Sequence, residues 1–439
     1  MKVLKFGGTS VGSPERMKQV SELIQRDEDK KIVVLSAVSG TTNALVEITD
    51  LYAAGKSELA LKKTDELHTK YLPFVDELLS TENGKHEGRA IVKKHFEELK
   101  RLISQPYYAQ VSKIIVVQGE LISTNLFQAF MAEQFPGKSA LLAAADFMTL
   151  NDQREPDLST IGKKLNHTLK DYNQDILITQ GFICRNATGG IDNLERGGSD
   201  YSATLIGSAL KAEETQIWTD IDGMHNNDPR VVDKTKPISH LSFEEAGELA
   251  YFGAKILHPN CIIPAYQCDV PVRIKNTMNP EAFGTLINSD QTPEAVKAIA
   301  AKDGITAIKI KSSRMIMAYG FMRRVFEVFE NFKTPIDMIT TSEIAVSLTI
   351  DNPQYLKEIV QEIKLYGKVE VDENQTIICI VGDMVAQSKG IRATIFSALE
   401  GIPIRMISYG GSRNNISVLV DSSLKKEALK SLNKHLFDL

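Results

Sequence analysis

Five short apolar runs, separated by helical patterns through the first 290 residues, restrict this chain more than any other feature. They are "KIVVLSAV" (31–38), "KIIVVQGE" (113–120), "DILITQGFI" (175–183), "TQIWTDID" (215–222) and "DVPVRIKN" (269–276). Each is β-branched and apolar on both phases of a two-residue repeat, as a strand buried on both faces must be. Helical patterns such as "STNLFQAFMAEQF" and "SATLIGSALKAEE" fall between them. Strands alternating with helices predict a mostly parallel sheet with helices on both sides. Residues 56–105 are charged and helix-like, a helical excursion on the surface.

The pattern changes after "GTLINSDQTPE" (284–294). The next segments are "ITAIKIKS", a helix over 320–332, "IDMITTS", "IAVSLTID" and a helix over 354–365. Then come "TIICIVG", a helix over 389–400, "IRMISYG", "ISVLVD" and a helix over 424–436. One β-α-β-β-α unit therefore occurs twice, an internal repeat. The second copy ends without a closing strand, and "AVKAIAA" (295–301) is the spare strand able to supply it. The domains expected are residues 1–290, 291–376 and 377–439, well within what 439 residues can build.

Composition removes several classes. A net charge of −5 and the absence of a basic tract argue against nucleic acid as a partner. No signal peptide is expected, since Lys2 and Lys5 interrupt a very short apolar start. No run of about 18 apolar residues stands out, so no membrane span is expected. The four cysteines, Cys184, Cys261, Cys268 and Cys379, form no C-x-x-C pair, which favours reduced thiols and a cytoplasmic location. Buried small hydrophobes are the expected role for Cys261 and Cys268, rather than metal ligands.

Ligands of an open parallel sheet bind beyond the carboxyl ends of its strands. The first such end carries Lys5, Gly7, Gly8, Thr9 and Ser10, ahead of a helix entered through Ser13 and Pro14. Gly7 and Gly12 have P-loop spacing, but Ser13–Pro14 stand where Lys–Ser/Thr belongs, so the lysine precedes the glycines. Other ends carry Ser39 to Asn43, Gly119 with Glu120, the segment "RGGSDYSAT" (196–204), and Thr219, Asp220 and Asp222 ahead of "NNDPR". "YFGAKILHP" adds Lys255. Taken singly, each has a structural reading: a turn glycine, a helix cap, a solvated charge. Gathered at one sheet edge they supply backbone donors, lysines, an arginine and carboxylates. With the eight histidines scattered and no Ser–His–Asp grouping, such a site suits charge neutralisation rather than proton relay.

"KFGGTSV", "VVLSAVSGTTN", "QGELIS", "TQGFI", "RGGSDYSA", "WTDIDG", "NDPR" and "FGAKILHP", in this order, resemble the aspartokinases of the amino-acid kinase superfamily. The repeated C-terminal units resemble their paired ACT domains, for which "TPIDMITTSEIAVSLTID" is typical. The resemblance covers nearly the whole chain. It implies an α/β fold: a three-layer α/β/α catalytic domain with a mostly parallel sheet, followed by two ferredoxin-like (βαββαβ) ACT domains. It implies phosphorylation of the side-chain carboxylate of L-aspartate with ATP and Mg2+, and no fused homoserine dehydrogenase domain. Lys5, Asp200 and Lys255 are the catalytic residues it points to. Ser39, Thr42, Glu120, Arg196 and Ser199 fall on the aspartate side. Lys5, Gly7, Gly8, Thr9, Ser10, Thr219, Asp220, His225, Arg230 and Lys255 fall on the nucleotide side. His225 stands where the family commonly has Tyr, and Cys184 where it often has Gly.

By the same resemblance the ACT pair senses an end product, L-lysine before threonine. One wall of the effector site would be Met315, Gly320, Phe321 and Met322. Ile336, Asp337, Thr341, Ser342 and Glu343 would form the other, with Asp337 and Glu343 facing an ammonium. Ala318–Tyr319 replace a Ser–Arg pair often seen in lysine-sensitive members. A homodimer through the ACT domains is expected, with a tetramer as further association. The competing readings are a kinase of another carboxylate and an amino-acid sensor with an inactive kinase domain.

Overall fold

The computed structural model describes all residues except 195–196, 254–256, 293–295, 313–318, 384, 386 and 388. The chain divides into two compact units, Met1–Met224 with Leu257–Ser289, and His225–Ile256 with Asp290–Leu439.

Within the first unit the sheet runs, edge to edge, through Ser139–Leu142, Ile176–Gln180, Lys31–Leu35, Lys2–Phe6, Thr215–Thr219, Val272–Asn276 and Thr285–Asn288. Every pairing is parallel except the last. The central strands are buried along their whole length, which is why Lys31–Leu35 and Ile176–Gln180 show no polar alternation. Two groups of helices cover the sheet. One includes Thr41–Ala53, Ser57–Leu78, Glu82–Ile103 and Gln118–Gln134; the other includes Leu158–Thr168, Gly198–Leu210 and Pro259–Cys268. The expected excursion over 56–105 is the pair of 22-residue helices Ser57–Leu78 and Glu82–Ile103.

The run "KIIVVQGE" is a correction. It is not a strand: Ala109–Val116 and Gln118–Gln134 are consecutive helices. Val111, Ile115, Val116 and Val117 are all buried, and a helix buried on several faces shows the same unbroken apolar run as a buried strand. The strand missing from that position is the short Ser139–Leu142. Ala109–Gln134 is also, among the described residues, the one helical stretch long and apolar enough to cross a bilayer, where none was expected. Most of its apolar window, 72%, is buried in the protein, as in a core helix.

The second unit carries a six-stranded antiparallel sheet in the order Ile339–Thr341, Ala345–Ile350, Ala298–Lys311, Lys368–Val381, Asn415–Asp421, Met406–Ser408. Two 14-residue strands at its centre serve both repeats. Residues 298–302 pair with 377–381, while 306–311 pair with 345–350. The spare strand thus closes the second repeat, and the two repeats share one sheet. Phe321–Asn331 and Leu356–Ile363 cover one apolar core, and Ile391–Ala398 and Lys425–Phe437 cover the other.

Candidate active site

The strand Lys2–Phe6 delivers the ammonium of Lys5 to the sheet's carboxyl edge, followed at once by Gly7 and Gly8. The turn folds back because the Ser10 and Val11 N–H groups both donate to the Gly7 carbonyl. Ser13 then caps the next helix, accepting the Arg16 N–H at 3.2 Å, with Pro14 in the first turn. The glycines are required by space. A Cβ on Gly7 would lie 3.1 Å from Lys5 Nζ, and one on Gly8 would lie 3.1 Å from the Ala37 carbonyl. Two further helices open at the same edge, Thr41–Ala53 and Gly198–Leu210, each entered through a left-handed glycine, Gly40 and Gly197, both at φ 81°. Their first-turn N–H groups are donors free of intrahelical partners.

These elements enclose a cavity of about 540 Å³. Of the predicted residues, Lys5, Gly7, Gly8, Thr9, Ser39, Thr42, Glu120, Ser199, Thr219 and Asp220 line it. Asp200 pairs with Lys5 at 2.6 Å, with both side chains largely buried. Glu120 is 3% exposed, in the first turn of Gln118–Gln134. One of its oxygens accepts the Ala37 N–H at 3.4 Å, and the other has no partner. Burial pushes the Glu120 carboxyl up to about 7. A buried acid with an unmatched oxygen at a cavity wall is a group prepared for a cationic ligand.

Several predicted residues fall elsewhere. The Ser10 side chain is buried against Thr277, oxygen to oxygen 2.7 Å, and braces the loop rather than lining the cavity. His225 and Arg230 belong to the second unit. There His225 Nδ1 meets the Thr235 hydroxyl at 2.8 Å, and the exposed Arg230 is paired with Asp228 at 2.8 Å. Arg196, Lys255 and Met315 lie outside the described residues. Of the effector set, Gly320 is the left-handed cap of Phe321–Asn331, and Phe321, Met322 and Ile336 pack on the first repeat's core. Thr341, Ser342 and Glu343 are exposed. The Asp337 carboxylate has a partner within the chain, because Lys302 holds one of its oxygens at 2.7 Å.

The structure adds residues that sequence reasoning missed. Ser36, Ala37, Val38 and Phe182 also line the cavity. Phe182 sits at φ 68°, a strained conformation for a bulky residue, and its N–H donates to Ser202 Oγ at 2.8 Å. Below the cavity Tyr71, from the helical excursion, shares a 2.7 Å hydrogen bond with Thr41. Nothing local in the sequence marks Tyr71, since its partner lies 30 residues away.

Cys184, Cys261 and Cys379 are buried in surroundings that disfavour the thiolate. Burial pushes the Cys184 thiol up to about 12 and raises those of Cys261 and Cys379 further.

Comparison with known proteins agrees with this geometry. The family model for the amino acid kinase family matches residues 1–276, and an ACT domain model matches 378–436. Lysine-sensitive aspartokinase 3 of Escherichia coli is 32% identical over 451 residues, covering 99% of both chains. The solved structure of E. coli aspartokinase III with aspartate and ADP, called the R-state, superposes with a TM-score of 0.86 at 32% identity, covering 100% of both chains. The same enzyme with lysine and aspartate, called the T-state, gives a TM-score of 0.79 at 30% identity, over 100% of this chain and 99% of that one. A lysine ahead of its glycines, an acid paired to it and an ACT repeat sharing one sheet thus have a common explanation: the chain belongs to the aspartokinase family.

Proposed function

We propose that this chain transfers a phosphoryl group from ATP to the side-chain carboxylate of L-aspartate, forming 4-phospho-L-aspartate. This is the first step of the aspartate-derived route to lysine, threonine and methionine, and L-lysine inhibits it. The observation that carries the reading is the pairing of Lys5 with Asp200 at 2.6 Å in the cavity that also holds the unmatched Glu120 oxygen. One relative that shares the whole chain length, E. coli aspartokinase III, is crystallised with aspartate and ADP, and with lysine and aspartate.

The chemistry follows from charge. The acceptor carboxylate is already a nucleophile, so no general base is needed. The obstacle is bringing one anion against another. Catalysis then consists of positioning and neutralisation. Lys5 is oriented by Asp200 and presents its ammonium where charge gathers during transfer. Gly7, Gly8 and Thr9 line the same cavity as Lys5, a lining that fits a polyphosphate. Mg2+ would accompany those phosphates and offset part of their charge; Thr219 and Asp220, which line the same cavity, are assigned to the nucleotide side. Glu120 pairs with the substrate ammonium, while Ser39, Thr42 and Ser199 donate hydroxyls. Arg196 clamps the α-carboxylate in two-pronged fashion, and Lys255, His225 and Arg230 serve the nucleotide, assignments that rest on the family pattern.

The kinase domain is residues 1–290 and the ACT modules are 291–376 and 377–439. Met315, Gly320, Phe321, Met322, Ile336, Asp337, Ser342 and Glu343 form the lysine site. The protein works in the cytoplasm as a homodimer through its ACT modules.

The test is ADP release measured with L-aspartate, L-glutamate and N-acetyl-L-glutamate, then with lysine, threonine or methionine added singly. Aspartate-specific turnover that falls with lysine supports the reading. Turnover confined to another carboxylate, or none at all, overturns it. Arg196→Ala is expected to raise KM for aspartate far more than KM for ATP; equal effects would move Arg196 to the nucleotide side.

A further inference from the structure

Asp337 is the acid assigned above to an effector ammonium, yet it has an occupant supplied by the chain itself. Lys302 Nζ lies 2.7 Å from Asp337 Oδ1 and 2.8 Å from Asp351 Oδ2. It also lies 4.4 Å from the ring centre of Tyr251, whose hydroxyl donates to the same Asp337 oxygen at 2.7 Å. The ammonium therefore has two carboxylates and an aromatic face, the set of partners that protein sites use to capture a primary amine. Burial opposes its charge, but the bonds to the two acids outweigh that and raise the Lys302 pKa, so it stays protonated. Asp337 is 1% exposed, and its second oxygen, Oδ2, is buried without a partner. Asp337 is among the residues lining a cavity of about 290 Å³, with Glu248, Tyr251, Phe252 and Met338. All of these residues belong to the second unit.

We propose that Lys302 is a tethered competitor for the cationic subsite at Asp337, and so sets how much free amine is needed to engage it. The inference rests on the proposed lysine-sensing role of the second unit and adds to it the residue that tunes it. An amine arriving at Asp337 meets an ammonium already in place. It must displace Lys302, or bind the remaining oxygen against a like charge only one carboxylate away. Either route weakens capture. Removing the charge of Lys302 has the opposite effect, since it leaves a buried carboxylate uncompensated and an external ammonium then restores the pairing. Lys302 touches neither substrate nor the reacting groups; it acts only through Asp337, as a positioning residue.

The experiment uses the full-length protein and two variants. Lys302→Gln keeps an amide donor for Asp337 without the charge. Lys302→Met keeps the stem alone and serves if the first variant is unstable. L-lysine binding is measured by calorimetry and inhibition by ADP release with saturating aspartate. Turnover without lysine is expected to stay within about twofold of wild type. Lysine affinity is expected to rise at least fivefold, and the half-inhibitory concentration to fall in step. Binding that appears in a variant but is undetectable in wild type supports the proposal too. A folded variant that binds lysine as wild type does, or more weakly, overturns the proposal and leaves the effector assignment standing. No lysine binding by any of the three proteins overturns both.

Discussion

Each unit of this molecule holds a largely buried lysine–aspartate pair of nearly equal length, and the two pairs sit in different surroundings. Lys5–Asp200 spans 2.6 Å and Lys302–Asp337 spans 2.7 Å. In the first, the lysine is paired with Asp200 and stands in the wall of a cavity of about 540 Å³ that Gly7 and Gly8 also line. An ammonium has three N–H donors, so the pairing with Asp200 leaves it capacity for a ligand. In the second, the lysine is saturated by Asp337, Asp351 and the Tyr251 ring. There the acid keeps a buried oxygen, Oδ2, that the lysine does not hold. An ion pair is therefore no functional signature in itself. What decides its use is which partner retains unspent hydrogen-bonding capacity, and whether a cavity adjoins that side.

The largest expected effect tests the open pair. Lys5→Ala should lower kcat by about 10²–10³, the usual loss when one preorganised charge leaves a reacting centre. KM for ATP should change little. Lys5→Arg should not restore the rate, because a planar fork does not replace a compact ammonium between a glycine turn and Asp200. Steady-state kinetics decide it. Near-normal turnover in Lys5→Ala would reduce this pair to the same structural role as the closed one.

How far the sequence discloses this contrast depends on separation along the chain. The open site was legible because its parts lie at strand ends, marked by "KFGG", "SGTTN" and "RGGSDYS". The fold of the C-terminal repeat was legible down to the spare strand, since residues 298–302 do pair with 377–381. Glu120 lines the cavity, but the sequence reading placed it at the end of a strand that does not exist. Its segment is a core helix, and only tertiary burial separates the two readings. Tyr71 beneath Thr41, and Lys302 and Tyr251 around Asp337, were illegible. A tyrosine or lysine in a strand or helix carries no local mark of a partner that folding alone brings near.

A second prediction concerns the unmatched acid of the first unit. Glu120 titrates near 7 in the fold against an ordinary 4.5, because burial disfavours its charge. Below 4.5 both folded and unfolded forms are protonated and nothing is lost. As pH rises through 7 the folded form must carry a buried charge, so stability declines between those values. A shift of that size corresponds to about 3 kcal/mol. Glu120→Gln should therefore melt at a higher temperature than wild type at pH 8 and at nearly the same temperature near pH 4.5. The same variant should raise KM for aspartate by about ten- to a hundredfold, having lost an ionic partner for the ammonium. In wild type, KM for aspartate should rise as pH falls below 7. Equal melting of the two proteins at pH 8 would mean that Glu120 is already compensated, and the contrast with Asp337 would lose one side.

The smallest effect asks whether the helical excursion serves the site or only the fold. Tyr71 is buried, and its hydroxyl reaches Thr41 at 2.7 Å, at the start of the helix that comes after Ser39 and Gly40. Tyr71→Phe keeps the ring among Phe74 and Phe96 and removes only that oxygen. The cost in stability should be about 1 kcal/mol, since the buried Thr41 hydroxyl loses its partner. If the hydrogen bond also holds the Ser39–Thr42 turn against substrate, KM for aspartate should rise about two- to fivefold with kcat and KM for ATP unchanged. A loss of stability with all three kinetic constants intact would confine Tyr71 to packing. A drop in kcat would instead tie the excursion to phosphoryl transfer itself. The split between KM and kcat is informative here because the two sides of the cavity are built from different strand ends: Lys5 and Gly7 on one, Ser39 and Thr42 on the other. A hydroxyl below the second should be felt by the acceptor alone.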